Sequence, residues 1–117
     1  GDKAPHIFYV NWFRKSPGGK WLWPGFGDNV RALKWMCERL EGKAGAQETA
    51  IGYLPRKEDL DLTGLDIPDE DLEELLKVDE AGWAAEVPGI EEYFARFGDR
   101  LPERLTAQLE ALKRRFD

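Results

Sequence analysis

Residues 8–29, FYVNWFRKSPGGKWLWPGFGDN, hold seven of the chain's fourteen aromatic rings: Phe8, Tyr9, Trp12, Phe13, Trp21, Trp23 and Phe26. Rings bury large areas and ordinarily scatter through a core. Here half of them are crowded into one stretch, and the stretch is broken twice, by Pro17-Gly18-Gly19 and by Pro24-Gly25-Phe26-Gly27. Proline removes a backbone donor and glycine admits positive φ, so the chain must turn between rings. Some of the rings must therefore sit on loops and not fill an interior.

The rest of the chain is read around that constraint. Residues 7–10 are β-branched and aromatic and are expected to form a short buried strand. Residues 16–20 form a turn, residues 21–23 a short return strand, and residues 24–27 a second loop. A helix follows, with Asp28 or Asn29 available to accept its first amide hydrogens. Val30, Leu33, Cys37 and Leu40 share one face, with Met36 beside them, and Gly42 ends the helix. On that face Cys37 is expected to be packed. Residues 50–54 make another strand, stopped by Pro55, and residues 56–68 are mostly loop. Asp69 is placed to cap a helix whose Leu72, Leu75 and Leu76 point inward. The next helix runs from about Asp79 to Phe97, with Trp83, Val87, Ile90, Phe94 and Phe97 on one stripe and a kink at Pro88-Gly89. Pro102 suits the first turn of a last helix with Leu105, Leu109, Leu112 and Phe116 on its face. The expected fold class is α+β: short N-terminal strands followed by a mainly helical C-terminal part. Residues 1–55 would hold the strands, loops and first helix, and residues 56–117 the helical tail.

At 117 residues the chain is one domain or part of one, and 42% hydrophobic with 34% charged residues suits a globular piece. No apolar run approaches a membrane span, and the opening GDKAPHIFYV has the pattern of neither a signal nor a transit peptide. Cys37 is the single cysteine, which leaves no internal disulfide and makes cytoplasm the expected compartment. The net charge of −6 is uneven: residues 1–43 carry eight Lys/Arg against four Asp/Glu, and residues 44–117 carry nine against nineteen. The aromatic stretch lies in the basic part, where an anionic partner should meet the chain.

Most catalytic chemistry finds no footing. One His and one Cys cannot build a nitrogen- or sulfur-ligated metal site, and His6 reads as an ordinary surface residue. Residues 59–70, DLDLTGLDIPDE, approach a calcium loop, but a strand and a proline precede them, Asp66 stands where such loops place an apolar residue, and Pro68 stiffens the second half. Gly19-Lys20 and Gly42-Lys43 lack the rest of a phosphate loop. What remains is a cluster of rings with two glycine loops and Asn29, whose amide holds both donors and acceptors. Such a cleft suits a planar π ligand, whose stacking on one ring is worth roughly 1–3 kcal/mol. An aromatic cage for a peptide and a single-stranded nucleic-acid surface are the competing classes. The net positive charge around the rings disfavours a cage for a cation, and the overall acidity disfavours nucleic acid.

The strings IFYVNWFRK and GKWLWPGFGDNVRALKW, with ERLEGKA, IGYLP, LDLTGLD and ALKRR further on, closely resemble the GTP-dependent phosphoenolpyruvate carboxykinases across essentially the whole chain. The resemblance implies a C-terminal fragment of a larger α/β nucleotide-binding domain. It implies an enzyme that converts oxaloacetate and GTP to phosphoenolpyruvate, carbon dioxide and GDP in gluconeogenesis, with Mn²⁺ and Mg²⁺ held by residues outside this chain. By position, Phe13, Trp21 and Phe26 would enclose the guanine. Asn29, with the backbone of Phe26, Gly27, Asp28 and Asn29, would read its edge, and Trp12, Trp23, Pro24 and Gly25 would shape the wall. Trp21 stands where the family usually has Phe, Asp28 where it has Glu and Val30 where it has Ser. The parent is expected to be monomeric. The fragment by itself is expected to be inactive and to associate through exposed apolar surface.

Overall fold

The computed structural model describes residues 2–117. Four α-helices and one two-stranded sheet make an α+β fold, as expected: α1 (Asn29–Leu40), β1 (Gln47–Thr49), β2 (Gly52–Leu54), α2 (Asp69–Leu76), α3 (Glu80–Ala95) and α4 (Glu103–Arg114). Short 3-10 turns at Phe26–Asp28, Lys57–Asp59 and Gly98–Arg100 link them. The chain divides into two compact units. One takes the chain up to Gln47 together with Leu54–Lys77; the other takes Glu48–Tyr53 together with Val78–Asp117.

In the first unit Leu22, Trp23, Trp35 and Leu72 are the buried apolar side chains, and Leu72 is the most enclosed at 1% exposure. Trp35 decides how α1 is rolled. Its indole N–H donates to the Gly45 carbonyl at 3.0 Å, and its ring meets Phe8 edge-on at 6.2 Å. Trp35 is the buried residue of α1, so this side of the helix faces inward. The consequence corrects the expected face: Val30, Leu33, Cys37 and Leu40 share a stripe, but all four are exposed. Helical spacing says that residues share a face; it cannot say that this chain supplies what covers it. The end of α1 is as expected, with Gly42 at φ 72° and the Lys43 amide returning to the Glu38 carbonyl.

Residues 7–10 form no strand. Ile7 and Tyr9 are both 91% exposed and Phe8 and Val10 both 37%, the two-residue alternation of a strand with no neighbour to pair with among the described residues. β-propensity favours the pleat, but a ladder needs a second backbone. The expected strand over residues 50–54 is shorter and moved: Ala50 and Ile51 turn between β1 and β2, where the Thr49 hydroxyl donates to the Gly52 carbonyl at 2.7 Å. The residues 21–23 strand reduces to one antiparallel bridge, Lys15 to Trp21.

α2 begins at Asp69 itself, with Pro68 in the cap position, so Asp69, Glu70 and Asp71 lie in its first turn beside the positive end of the helix dipole. The second unit is built on α3 against α4. Asp79 caps α3 by accepting from the Gly82 amide at 2.9 Å, and the helix continues through Pro88. Val87 and Leu109 are its buried pair, and Lys113 of α4 reaches Glu91 of α3 at 2.7 Å.

Candidate functional site

The rings are placed by a tight hairpin. The Ser16 amide donates to the Lys20 carbonyl at 2.8 Å, the Leu22 amide to the Arg14 carbonyl at 3.0 Å, and Gly19 takes φ 84° at the turn. Alternation along the second arm turns Leu22 inward at 3% exposure and Trp21 outward at 55%. On the facing arm Phe13 is 72% exposed and meets Trp21 edge-on, with centroids 6.0 Å apart. The Lys15 ammonium lies 4.2 Å from the centre of the Trp21 ring, a cation over a π face. Behind them Trp23 is buried and Trp12 packs on it at 6.2 Å, tilted by 39°. Phe26 stands alone at the second loop, 92% exposed, with no ring contact among the described residues.

That loop is shaped by Gly25, whose φ of 126° and ψ of −168° lie outside the range of L side chains. The 3-10 turn Phe26–Asp28 then runs straight into α1. The Asp28 amide donates to the Gly25 carbonyl at 3.1 Å and the Asn29 amide to that of Phe26, so both are engaged within the turn. The Phe26 and Gly27 amides come at its start, where a helix offers its N–H groups no internal acceptor. Neither Asp28 nor Asn29 caps α1 through its side chain. The Asp28 carboxylate accepts from Arg31 Nε at 3.0 Å, and Asn29 Oδ1 accepts from Trp23 Nε1 at 2.7 Å.

Two further anchors hold the hairpin; the sequence showed them only as cations between the rings, because their partners lie more than fifty residues away. Arg14 donates to the carbonyls of Leu75 and Lys77 at the end of α2, and Lys20 pairs with Asp71 in its first turn. Phe13 and Trp21 thus stand on a hairpin fastened at both ends of one helix. A parallel arrangement fixes the base of α1. Arg31 Nη1 donates to the carbonyls of Asp61 and Thr63 at 2.8 and 2.9 Å, and Lys34 donates to the Asp61 carboxylate at 2.6 Å. The Lys34 bond, then those from Thr63, hold the Asp61 carboxyl well below the usual carboxylate range, and the same bond raises the Lys34 ammonium above its ordinary value. The carboxylates of residues 59–70 are dispersed among separate partners: Asp59 accepts from the Arg56 amide, Asp61 from Lys34, and Asp69 from Lys57. Among the described residues no group of three or more His, Cys, Asp or Glu is arranged to hold a metal ion, and no helix is long and apolar enough to cross a membrane.

A model of the phosphoenolpyruvate carboxykinase C-terminal P-loop domain matches residues 1–115. The chain belongs to this family. Among curated relatives it is 55% identical over 115 residues to the phosphoenolpyruvate carboxykinase (GTP) of Arthrobacter sp. (strain FB24), 56% to that of Renibacterium salmoninarum and 54% to that of Neocallimastix frontalis. These alignments take in 97–98% of this chain and 19% of each relative, so the chain spans about a fifth of the length of the enzymes it matches. It is a C-terminal portion of the family's architecture, and the enzymes it resembles are named for their use of GTP.

Proposed function

We propose that this chain supplies the guanine-recognising part of a GTP-dependent phosphoenolpyruvate carboxykinase. The observation that carries the reading is the exposure of Phe13, Trp21 and Phe26. Three large rings exposed on loops in the basic part of an acidic chain offer apolar faces that a planar ligand would cover. A purine is such a ligand. Asn29 follows Phe26 by three residues, at the start of α1, and its amide carries the donors and acceptors that the edge of a base needs.

Stacking accepts any base, so the rings alone do not separate GTP from ATP. Directed hydrogen bonds do, because the wrong base leaves buried polar groups unpaired. In this reading residues 1–55 form the pocket and residues 56–117 support it. The parent enzyme, monomeric and cytoplasmic, decarboxylates oxaloacetate and phosphorylates the product from GTP. Phosphoryl transfer depends on positioned phosphates and metal ions. The sequence carries no phosphate loop and the described residues hold no donor cluster that fits Mn²⁺ or Mg²⁺, so the chain is inactive alone, and its exposed Val30, Leu33 and Leu40 drive association at high concentration.

A titration of the chain with GTP, ATP, a trimethyl-lysine peptide and oligo-RNA tests the reading by thermal shift. Stacking plus one or two hydrogen bonds supports a dissociation constant of about 1 mM. Stabilisation by GTP alone is expected; equal stabilisation by GTP and ATP, or a response only to peptide or RNA, would refute guanine recognition.

A further inference from the structure

We infer that Trp23 sets the choice between 6-oxo and 6-amino purines by fixing which way the Asn29 amide faces. The inference rests on the guanine reading above and gives Trp23, beyond its place in the wall, a role exerted through Asn29. The indole N–H is a donor and nothing else, so the Asn29 atom it meets at 2.7 Å must be the amide oxygen. That removes the usual ambiguity between the two ends of an asparagine side chain. The indole cannot swing away, because Trp23 is buried and Trp12 packs against it. Asn29 is the first residue of α1, with helical backbone angles of −58° and −28°, so its backbone is set by the helix and the indole bond is what holds the amide.

With its oxygen tied back, the amide presents its nitrogen and two N–H donors to a ligand. The C6 carbonyl of guanine or hypoxanthine accepts such a bond. The C6 amino group of adenine or 2,6-diaminopurine meets it donor to donor and leaves both unpaired. Without the indole N–H the amide is free to turn over. Asparagine pairs readily with a 6-amino purine once its oxygen is available, so the selectivity lies in the orientation and not in the residue type. The rings stack in either case.

The experiment uses the ¹⁵N-labelled chain and the 5′-monophosphates of guanosine, inosine, adenosine and 2,6-diaminopurine riboside, with affinities from chemical-shift titration. The wild-type chain should prefer both 6-oxo bases, and its Trp23 indole proton should be shielded from solvent exchange. Trp23→Phe keeps a ring and loses the N–H; its preference for the guanosine over the diaminopurine nucleotide should fall by about three- to tenfold. Asn29→Asp keeps an acceptor for Trp23 and has no donor. It should lose the preference while the indole proton stays shielded, and ratios within one variant cancel the added charge. A Trp23→Phe variant that weakens both nucleotides by the same factor would overturn the positioning role and leave guanine recognition standing. An exposed indole proton in the wild-type chain would overturn it too, even if Trp23→Phe failed to fold. A wild-type chain with no preference among the four bases, or no binding, would refute guanine recognition itself and this role with it.

Discussion

Arg14 donates from Nη1 to the main-chain carbonyl of Lys77 at 2.6 Å, across 63 residues of sequence, and to that of Leu75 at 3.1 Å. The last carbonyls of a helix have no internal donor, and a cation there also meets the negative end of the dipole. One guanidinium thus closes α2 and fastens the arm that carries Phe13. Arg14→Ala should lower stability by about 1.5–3 kcal/mol, the range for a hydrogen bond to a charged group, in urea denaturation followed by tryptophan fluorescence. Arg14→Lys should recover only part, because an ammonium is a point charge and not a fork. No loss in either variant would mean that the hairpin does not depend on α2.

The two glycines around Phe26 should behave differently. Gly25 has a φ of 126°, whereas Gly27 has an ordinary φ and open space where a Cβ would stand. Gly25→Ala should cost about 1–3 kcal/mol through backbone strain and displace Phe26. Gly27→Ala should fold with unchanged or slightly raised stability. Thermal melts of the two variants compare them directly, and equal melting temperatures would contradict the loop geometry.

Leu72 and Leu33 are both leucines on helices, but Leu72 is 1% exposed and Leu33 51%. Leu72→Ala should cost about 2–5 kcal/mol by removing contacts and leaving a cavity. Leu33→Ala should stay within about 0.5 kcal/mol in dilute monomer and should reduce association at high concentration. The denaturation midpoint and the sedimentation profile read the two effects separately. A large loss of stability from Leu33→Ala would show that something covers the outer stripe of α1.

The Lys34–Asp61 pair carries a pH signature. The Asp61 carboxyl is depressed in the folded chain, chiefly by its hydrogen bond from Lys34, so its contribution is complete above the unfolded carboxylate pKa of about 4 and disappears as pH falls toward the lower folded value. Lys34 is raised, so its contribution is complete below about pH 10 and is lost above that, through the folded value. The stability difference between wild type and Asp61→Asn should therefore be flat from about pH 5 to 9 and shrink below about pH 4. Both groups are exposed, so the effect should weaken in high salt. A constant difference down to pH 2 would mean that the pair is not formed in solution.

Much of the local architecture was readable from local chemistry. Gly42 ends α1, α3 starts beside Asp79 and the residues 16–20 turn forms where proline and glycine require it, because each depends on a few neighbouring residues. The expected caps failed locally, Asp28 and Asn29 being drawn to Arg31 and Trp23 and Asp69 standing inside the first turn of α2. The other misplaced features depend on distant residues. Residues 7–10 have the composition and alternation of a strand but no partner, and the Val30–Leu33–Cys37–Leu40 stripe lies outward because Trp35 claims the inner side of the helix. In the site, the sequence pointed to the rings and to Asn29. It gave no anchoring role to Arg14, Lys20 or Arg31, because those roles exist only once α2 and residues 61–63 are folded against them.

By itself, then, the order of residues determined the ring-rich loops, the glycine stop of α1 and the family, since turn chemistry is local and the motif strings are long. Tertiary structure alone decided which rings stay in water, which face of α1 is hidden and which end of the Asn29 amide is tied to Trp23. Burial and hydrogen bonding are settled by what lies across space, and no pattern along the chain records that.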